Sequence, residues 1–339
     1  MSQFDRRQVL QMIAVSSTLP FLPSMSFAST RNGVMVLVEK EFPGVGFYQL
    51  PEGEALAHIP LATQPHEIVA DAQGRFAYVA QYGVGKWLAP GEGGHQVFVI
   101  DLKARKVART LDLQPYQRLH GIRMDAAGRL YILSEIDSVM IRFDNPSQDE
   151  YPSQIVPLGG TRSHYFVLKR DGSRAYVADT MSGMIIMIDP HDPTFVPVKK
   201  LIGQAPEGAC LSPDEHTFYV IDRYKGILHA FDASTLAPTR TVKLRGEAVR
   251  VVSLPDGRLI VSNQADKSLS ILNRNTLKEE KHLPLEAAAP GLNLSPSGDI
   301  LYASLESDKV LEIDIASWRI AGAFVTGKAP DAAVIIFGV

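Results

Sequence analysis

Short apolar stretches alternate with tight polar turns along most of the chain, and this alternation repeats. In each repeat an apolar stretch leads to a turn of the Asp/Pro-x-Gly type, and a second apolar stretch follows it, as in residues 71–80 (DAQGRFAYVA) and 255–263 (PDGRLIVSN). A third stretch then ends in Asp or an equivalent residue, and a fourth, more polar stretch completes the unit. Short apolar runs bounded by turn residues are typical of β-strands, so the pattern predicts tandem units of four strands.

Six such units follow one another, with turns 54 residues apart at most (Gly74 to Gly128) and 41 at least (Gly257 to Gly298). Four strands at this period indicate a β-propeller blade, and six tandem copies disfavour a two-sheet sandwich. Residues 329–337 repeat only the inner-strand pattern, while residues 33–60 offer three outer strands without an inner one. Pairing of the two ends would close a seventh blade and leave no exposed sheet edge. We therefore predict an all-β, seven-bladed β-propeller.

The first 28 residues have the layout of an export signal. Arg6 and Arg7 precede a moderately apolar run from residue 12 to residue 23, and Ser26, Phe27 and Ala28 resemble a small-residue cleavage site. This order is that of a twin-arginine signal peptide, so we predict a mature propeller of residues 29–339 in the bacterial periplasm. The alternative is a fortuitous arginine pair ahead of a buried helix. A membrane anchor is disfavoured because the apolar run is shorter than the roughly 20 residues that a span needs.

The composition and the motifs that are absent argue against several classes of function. The 339 residues carry a net charge of −3 and are 21% charged, which gives no indication of a nucleic-acid or membrane surface. Cys210 is the single cysteine, so no internal disulfide can form. The sequence has no phosphate-binding glycine loop, no Gly-x-Ser-x-Gly nucleophile motif and no paired-cysteine zinc site. Any chemistry must come from residues that the repeat itself brings together.

The second strands carry a Tyr-Val-Ala/Ile pattern at Tyr78, Tyr176 and Tyr219, with an Asp three positions later in the last two. In this pattern the chain resembles the YVTN-type family of bacterial β-propeller repeat proteins, part of the wider lactonase-like seven-bladed group. The resemblance covers nearly the whole mature chain. It implies the propeller fold but leaves the function open, because its relatives include both enzymes and scaffolds.

One position of the repeat carries three of the nine histidines. In six repeats it lies eight residues before the turn residue, which is Gly74 in the first repeat, and alignment of residues 329–332 with residues 205–208 adds the seventh. We name it the ring position. In blade order the residues are Asp331, His66, His120, His164, Glu207, Val249 and Pro290. Because each lies where an innermost strand begins, we expect them to surround the axis at one mouth of the channel.

Converging imidazole nitrogens and carboxylate oxygens are the usual ligands of a divalent transition metal. We therefore predict a metal site formed by His66, His120, His164 and Glu207, with an open position for water or a small-molecule substrate. The identity of the metal is left open. The alternative is a structural role, in which strand-entry histidines donate to backbone carbonyls or fill a polar channel.

Three arginines lie within two residues of the ring position in their units: Arg118, Arg162 and Arg250. A guanidinium binds a carboxylate bidentately, so this group is the predicted site for a carboxylate ligand or cofactor. The loop of residues 82–94 is longer than its counterparts and is expected to act as a lid or recognition element.

Four residues are the candidate catalytic groups: Glu207, Asp331, Tyr82 and Arg223. In this hypothesis Glu207 or Asp331 acts as a base, Tyr82 as a proton donor and an arginine orients the substrate. The ends of the second strands, including Glu135 and Asp179, are expected to add acid/base groups to the same rim.

Two functions remain open at this point. One is a periplasmic metal-dependent lyase or hydrolase that acts on a small oxygenated or carboxylate substrate. The other is a non-catalytic accessory protein that holds a metal, a redox cofactor or a periplasmic protein partner. Twin-arginine export suits both, because it carries proteins that have already folded.

Overall fold

Four consecutive strands form each sheet, as the repeat predicts. The computed structural model describes residues 32–62, 64–85 and 88–337. Within these ranges 28 strands form seven four-stranded antiparallel sheets, and no helix there could span a membrane. The sheets are the blades of a seven-bladed β-propeller, which confirms the predicted fold. The predicted signal peptide, residues 1–28, lies outside the described residues.

The innermost strands of blades 1 to 7 are β4 (Pro65–Ala70), β8 (Leu119–Met124), β12 (Ser163–Leu168), β16 (Pro206–Leu211), β20 (Ala248–Ser253), β24 (Gly291–Leu294) and β28 (Pro330–Ile336). Each contacts the innermost strands of the two neighbouring blades. These strands therefore line the central channel.

The second strands, in the same blade order, are β5 (Phe76–Gln81), β9 (Leu130–Ser134), β13 (Ala175–Asp179), β17 (Thr217–Asp222), β21 (Leu259–Asn263), β25 (Ile300–Leu305) and β1 (Val34–Glu39). The third strands are β6 (Gln96–Asp101), β10 (Val139–Phe143), β14 (Met184–Ile188), β18 (Ile227–Asp232), β22 (Ser268–Leu272), β26 (Lys309–Asp314) and β2 (Gly44–Gln49). The outermost strands are β7 (Lys106–Asp112), β11 (Gln154–Pro157), β15 (Val198–Leu201), β19 (Pro238–Lys243), β23 (Glu279–Pro284), β27 (Arg319–Val325) and β3 (Glu54–Pro60).

Blade 7 is built from both ends of the chain. Its innermost strand, β28, pairs antiparallel with β1, from Val34 opposite Ile336 to Glu39 opposite Pro330. The predicted closure is confirmed, and it ties the two ends of the ring together by backbone hydrogen bonds.

Apolar side chains of adjacent blades pack together in seven clusters. Between blades 7 and 1, for example, Val36 and Phe47 pack with Ala77 and Ile100, and all four are fully buried. Burying one large apolar side chain contributes about 1.5–3 kcal/mol, so these clusters are the main source of stability in a chain without disulfides. They also fix the angle between blades, and hence the place of each innermost strand around the axis.

The turn position from which the ring residues were counted has one backbone conformation in six blades. Its φ angle is positive at Gly74 (62°), Gly128 (83°), Gly172 (77°), Gly257 (85°) and Gly298 (73°), and also at Glu215 (59°). Glycine is favoured there because a side chain is strained at positive φ. The shared conformation confirms that these residues are equivalent.

Candidate functional site

The ring residues lie on β-bulges of the innermost strands. In blade 1, Pro65 pairs with Gln81 and Ile68 with Val79, so His66 and Glu67 stand opposite a single residue. The register shifts in the same way around His120, His164, Glu207, Val249 and Asp331. A bulge leaves its extra residue outside the ladder and changes the direction of its side chain.

The three predicted histidines lie together at the axis. The ring centroids of His66 and His120 are 4.2 Å apart, and those of His120 and His164 are 3.8 Å apart. The edge of Tyr82 contacts both His66 and His120, at centroid distances of 5.5 and 5.2 Å. The three histidines therefore lie side by side, and their role as ligands stays a prediction.

Burial keeps two of these imidazoles neutral. Burial lowers the pKa of both His66 and His120 well below 6.5. The positive charge of Lys40 lowers the pKa of His66 further, and the neighbouring His164 lowers that of His120 further. Both nitrogens of His120 and Nδ1 of His66 are buried without a hydrogen-bond partner. An unsatisfied buried polar atom costs about 1–3 kcal/mol, so these unpaired ring nitrogens are an unusual feature of the fold.

His164 differs from the other two because its Nδ1 is engaged. It lies 2.7 Å from Oε2 of Glu135, a fully buried carboxylate that also accepts hydrogen bonds from Tyr82 (2.9 Å) and Arg162 (2.9 Å). Burial raises the pKa of Glu135, but its hydrogen bonds, led by that from His164, lower it below the ordinary value. Glu135 is therefore ionised, and the proton of His164 is held on Nδ1.

Tyr82 is not a free acid at the rim. Its side chain is 2% exposed, and burial together with the charge of Glu135 raises its pKa well above 10. Its hydroxyl therefore donates to Glu135 at neutral pH. The predicted role of Tyr82 as a proton donor stays a prediction, but the group that it serves in the structure is Glu135.

Arg250 links three carboxylates across the axis. It lies on β20 and is buried, with guanidinium nitrogens 3.3 Å from Glu67, 3.7 Å from Glu207 and 3.9 Å from Asp331. Burial lowers its pKa, but the carboxylates, led by Glu67 and Asp331, raise it above the ordinary value. Arg250 therefore remains charged at the centre of the channel.

Each of these carboxylates has a second cation. Arg123 lies 3.0 Å from Glu67, Arg223 lies 2.8 Å from Glu207, and Lys40 lies 2.7 Å from Asp331. Arg223 also reaches Glu247 at 2.6 Å. The centre of the propeller is thus a network of paired charges, in which the two candidate bases Glu207 and Asp331 are already bound by cations.

A cavity of 470 Å³, which we name the axial cavity, opens at this mouth. Its polar lining includes His66, His164, Glu207, Asp331, Lys40, Arg223, Arg250, Gln64, Gln264, Glu306 and Tyr82. Val249 and Pro290, the two apolar residues of the ring, and Val84, Gly85 and Leu88 of the long loop complete the wall. The cavity therefore has both charged and apolar groups in its wall.

Arg118 anchors the long loop. Its guanidinium donates to the carbonyl oxygens of Ala89 (2.6 Å) and Gly91 (2.7 Å), and the residue is 3% exposed. Of the three predicted carboxylate-binding arginines, only Arg250 lines the axial cavity, while Arg162 is paired with Glu135. Arg118 instead holds the loop whose Val84 and Leu88 border that cavity.

The acidic residues at the ends of the second strands accept hydrogen bonds from backbone amides, a role that the sequence did not predict. Asp179 accepts hydrogen bonds from the backbone amides of Thr161 (2.9 Å) and Arg162 (3.1 Å), and Asp222 accepts them from Gln204 (3.2 Å) and Ala205 (3.3 Å). These carboxylates fix the segment that enters each innermost strand. Their local structural role explains their repetition and leaves Glu135 as the member of this set that contacts a ring histidine.

A second cavity, of 440 Å³, lies where the innermost strands end, and we name it the far cavity. Arg123, Arg170, Cys210 and Ser253 contribute to its lining. Burial raises the pKa of the Cys210 thiol, which is half-buried and lies away from the histidines. The thiol is therefore protonated and belongs to the other mouth of the channel.

Glu67 is the residue of the site that sequence reasoning missed. It follows His66 in the chain, and the count of one residue per blade passed over it. The signal was its occurrence as an acidic residue inside an innermost strand (PHEIVA) whose remaining residues apart from His66 are apolar, where a buried charge needs a partner.

No protein-family model and no curated protein matches the chain, whereas solved propeller structures do. A protein from Bacteroides uniformis assigned as a 6-phosphogluconolactonase is 15% identical, with a TM-score of 0.70 over 90% of this chain and 100% of that chain. The periplasmic gluconolactonase of Pseudomonas aeruginosa is 14% identical, with a TM-score of 0.70 over 90% and 99%. A chain of the mitotic checkpoint complex is 16% identical, with a TM-score of 0.68 over 87% and 86%.

At these identities the likeness shows the fold alone. The propeller is similar both to structures named as lactonases and to a chain of the mitotic checkpoint complex, so the ring of blades does not identify a function. Closer membership of the YVTN-type family stays a prediction. The function must be argued from the axial cavity.

Proposed function

We propose that this protein is a periplasmic hydrolase that opens a small, oxygenated, anionic substrate of the lactone type in the axial cavity, with a divalent transition metal as cofactor. The observation that carries the proposal is the pair of His164 and Glu135, 2.7 Å apart, at a cavity with cationic side chains. An imidazole oriented by a buried carboxylate is a common general base.

In this proposal His164 takes a proton from water. Because Glu135 holds the proton of Nδ1, the lone pair of Nε2 is available to accept one. The water oxygen forms a bond to the lactone carbonyl carbon, and the ring C–O bond breaks. The proton then passes from His164 to the departing alkoxide, so that the products are the open hydroxy acid and the regenerated imidazole.

Arg250, Arg223 and Lys40 are the groups that we assign to the carboxylate of the substrate or product. All three line the axial cavity. They already pair with Glu207 and Asp331, at 2.7 to 3.9 Å, and Arg250 and Arg223 also with Glu67 and Glu247, so binding of a further anion requires these ion pairs to share their cations. Glu207 and Asp331 then position the cations, in addition to the base role predicted from sequence.

The metal of this proposal would be held by His66 and His120, which have unpartnered buried nitrogens. Such an ion supplies a Lewis acid that polarises a carbonyl oxygen. His164 and Glu207, the other predicted ligands, are engaged by Glu135 and by Arg223.

The location is part of the proposal. The twin-arginine layout of residues 1–28 supports export, and one of the similar structures is a periplasmic gluconolactonase. The lactonase names of two similar structures also support the substrate class.

A second candidate is a non-catalytic accessory protein that holds a metal, a redox cofactor or a periplasmic partner at the same mouth. One observation favours it: Glu67, Glu207 and Asp331 all have cationic partners, which suits stable binding better than proton transfer.

A lactone-opening assay separates the two candidates. The mature protein is supplied with Zn²⁺ or Mn²⁺ and incubated with sugar-acid and hydroxy-acid lactones, and acid release is followed above the rate in buffer. The hydrolase predicts saturable opening that is lost in His164→Ala and retained in Cys210→Ser, the control from the far cavity. A rate equal to that of buffer with every lactone, together with tight metal binding, would favour the accessory protein.

A further inference from the structure

The geometry points to a metal site made of His66, Glu67 and His120, with Glu67 as a ligand and with His164 and Glu207 outside it. This inference refines the cofactor site of the proposed function. It can be tested through the metal alone, without any substrate.

The donor atoms of these three residues already lie close together. One ring nitrogen of His66, one of His120 and one carboxylate oxygen of Glu67 are all within 4.8 Å of one another. Around a tetrahedral ion with bonds of about 2.0–2.2 Å, neighbouring ligand atoms are roughly 3.3 Å apart. Side-chain rotations of the order of 1 Å would therefore bring the three atoms onto one ion.

Two observations single out these residues. His120 has two buried ring nitrogens without a partner, and His66 has one, so a metal there satisfies atoms that are otherwise unsatisfied. Among the described residues, His66, Glu67 and His120 form the group whose donor atoms all lie within 4.8 Å of one another, and His164 and Glu207 are not part of it.

Glu67 reaches this point because of the bulge that it shares with His66. Its oxygens accept from Arg123 at 3.0 Å and from Arg250 at 3.3 Å, so an ion at this point shares the carboxylate with these guanidinium groups. When an ion binds, Arg250 has alternative partners in Glu207 and Asp331, at 3.7 and 3.9 Å. The guanidinium of Arg250 therefore keeps carboxylate partners when the ion binds to Glu67.

The donor set selects the class of ion. Two imidazoles and one carboxylate form a set typical of catalytic zinc sites and leave a fourth position open. Imidazole ligands favour zinc, cobalt or copper, whereas calcium and magnesium prefer oxygen ligands alone.

Co²⁺ titration tests the ligand set. The mature protein is stripped with a chelator and titrated with Co²⁺, whose visible absorption reports the number and type of ligands. We expect one equivalent to bind, and His66→Ala, His120→Ala and Glu67→Gln each to weaken binding by roughly 10- to 100-fold or more. His164→Ala and Glu207→Gln should bind Co²⁺ like the wild type, and Cys210→Ser should leave the spectrum unchanged.

Circular dichroism of each stripped variant identifies misfolding, and Glu67→Asp provides a second variant that keeps the carboxylate. Glu67→Asp should bind Co²⁺ more tightly than Glu67→Gln. The inference is overturned if no variant and no wild-type protein binds Co²⁺, or if His164→Ala or Glu207→Gln loses the ion while Glu67→Gln retains it. One bound equivalent without lactone opening would support this ligand set and contradict the proposed hydrolase.

Discussion

The channel has an axial mouth, at the axial cavity, and a far mouth, at the far cavity. Both are built from the same seven strands, yet their polar groups bond in different ways. At the far mouth many polar groups bond within one turn: Asp71 accepts from the backbone amides of Arg75 and Phe76, four and five residues away, although Arg170 also reaches Glu215 of the next blade. At the axial mouth Arg250 pairs with Glu67 and Asp331, 183 and 81 positions away in sequence. Local bonding makes a turn, whereas bonding across blades makes a site whose groups depend on the closed ring.

The bulges account for this difference. At the entry of an innermost strand the extra residue leaves the ladder and turns toward the axis, while the same strand ends in regular pairing. A repeated backbone irregularity thus collects side chains from several blades at one mouth.

The largest effect is expected at His164. His164→Ala should lower kcat for lactone opening by about 10²- to 10⁴-fold, the usual contribution of a general base. KM should change little because the arginines remain. Steady-state kinetics check this, with Cys210→Ser at the far mouth as the control. Equal kcat values in the two variants would remove His164 from the mechanism.

Two arginines allow a matched comparison of stability. Arg250→Met leaves Glu67 and Asp331 buried with fewer partners and should lower the free energy of unfolding by about 3–5 kcal/mol. Arg170→Met removes an exposed side chain at the far mouth, and a change within about 0.5 kcal/mol is expected. Urea unfolding measures both. Similar losses would contradict the idea that charge is concentrated at the axial mouth.

Asp331 should make stability depend on pH. Burial raises its pKa, but the positive charges of Lys40 and Arg250 hold it well below 3.8 in the folded protein. A carboxylate with a depressed folded pKa contributes stability above its unfolded pKa, and this contribution is lost as the pH falls toward the folded value. Asp331→Asn should therefore cost about 1–3 kcal/mol at pH 7 and progressively less below about pH 4. A cost that does not change between pH 7 and pH 3 would contradict this assignment.

The smallest effect is expected at Arg118. Arg118→Met releases the carbonyl oxygens of Ala89 and Gly91 and should loosen the loop that borders the axial cavity. KM should rise several-fold while kcat stays close to that of the wild type. A fall in kcat with unchanged KM would place Arg118 in the chemistry instead.

The repeat made the fold and the ring of histidines predictable. Blade count, closure and the equivalence of His66, His120 and His164 follow from periodicity, because each blade repeats one backbone path. Glu67 was not predictable in this way, since a bulge adds a residue that a fixed count omits. The partners of Tyr82 and Arg250 also lie in other blades, at distances that depend on how the blades pack.

The central claim is that the axial mouth, and not the far mouth, carries the chemistry through the pair of His164 and Glu135. Its most direct test compares lactone opening by Glu135→Gln and Arg170→Met. We predict that kcat falls roughly 10²-fold or more in Glu135→Gln, because the neutral amide no longer holds the proton on Nδ1 of His164, and that Arg170→Met equals the wild type. Equal rates in the two variants, or a wild-type rate no higher than that of buffer, would contradict the account.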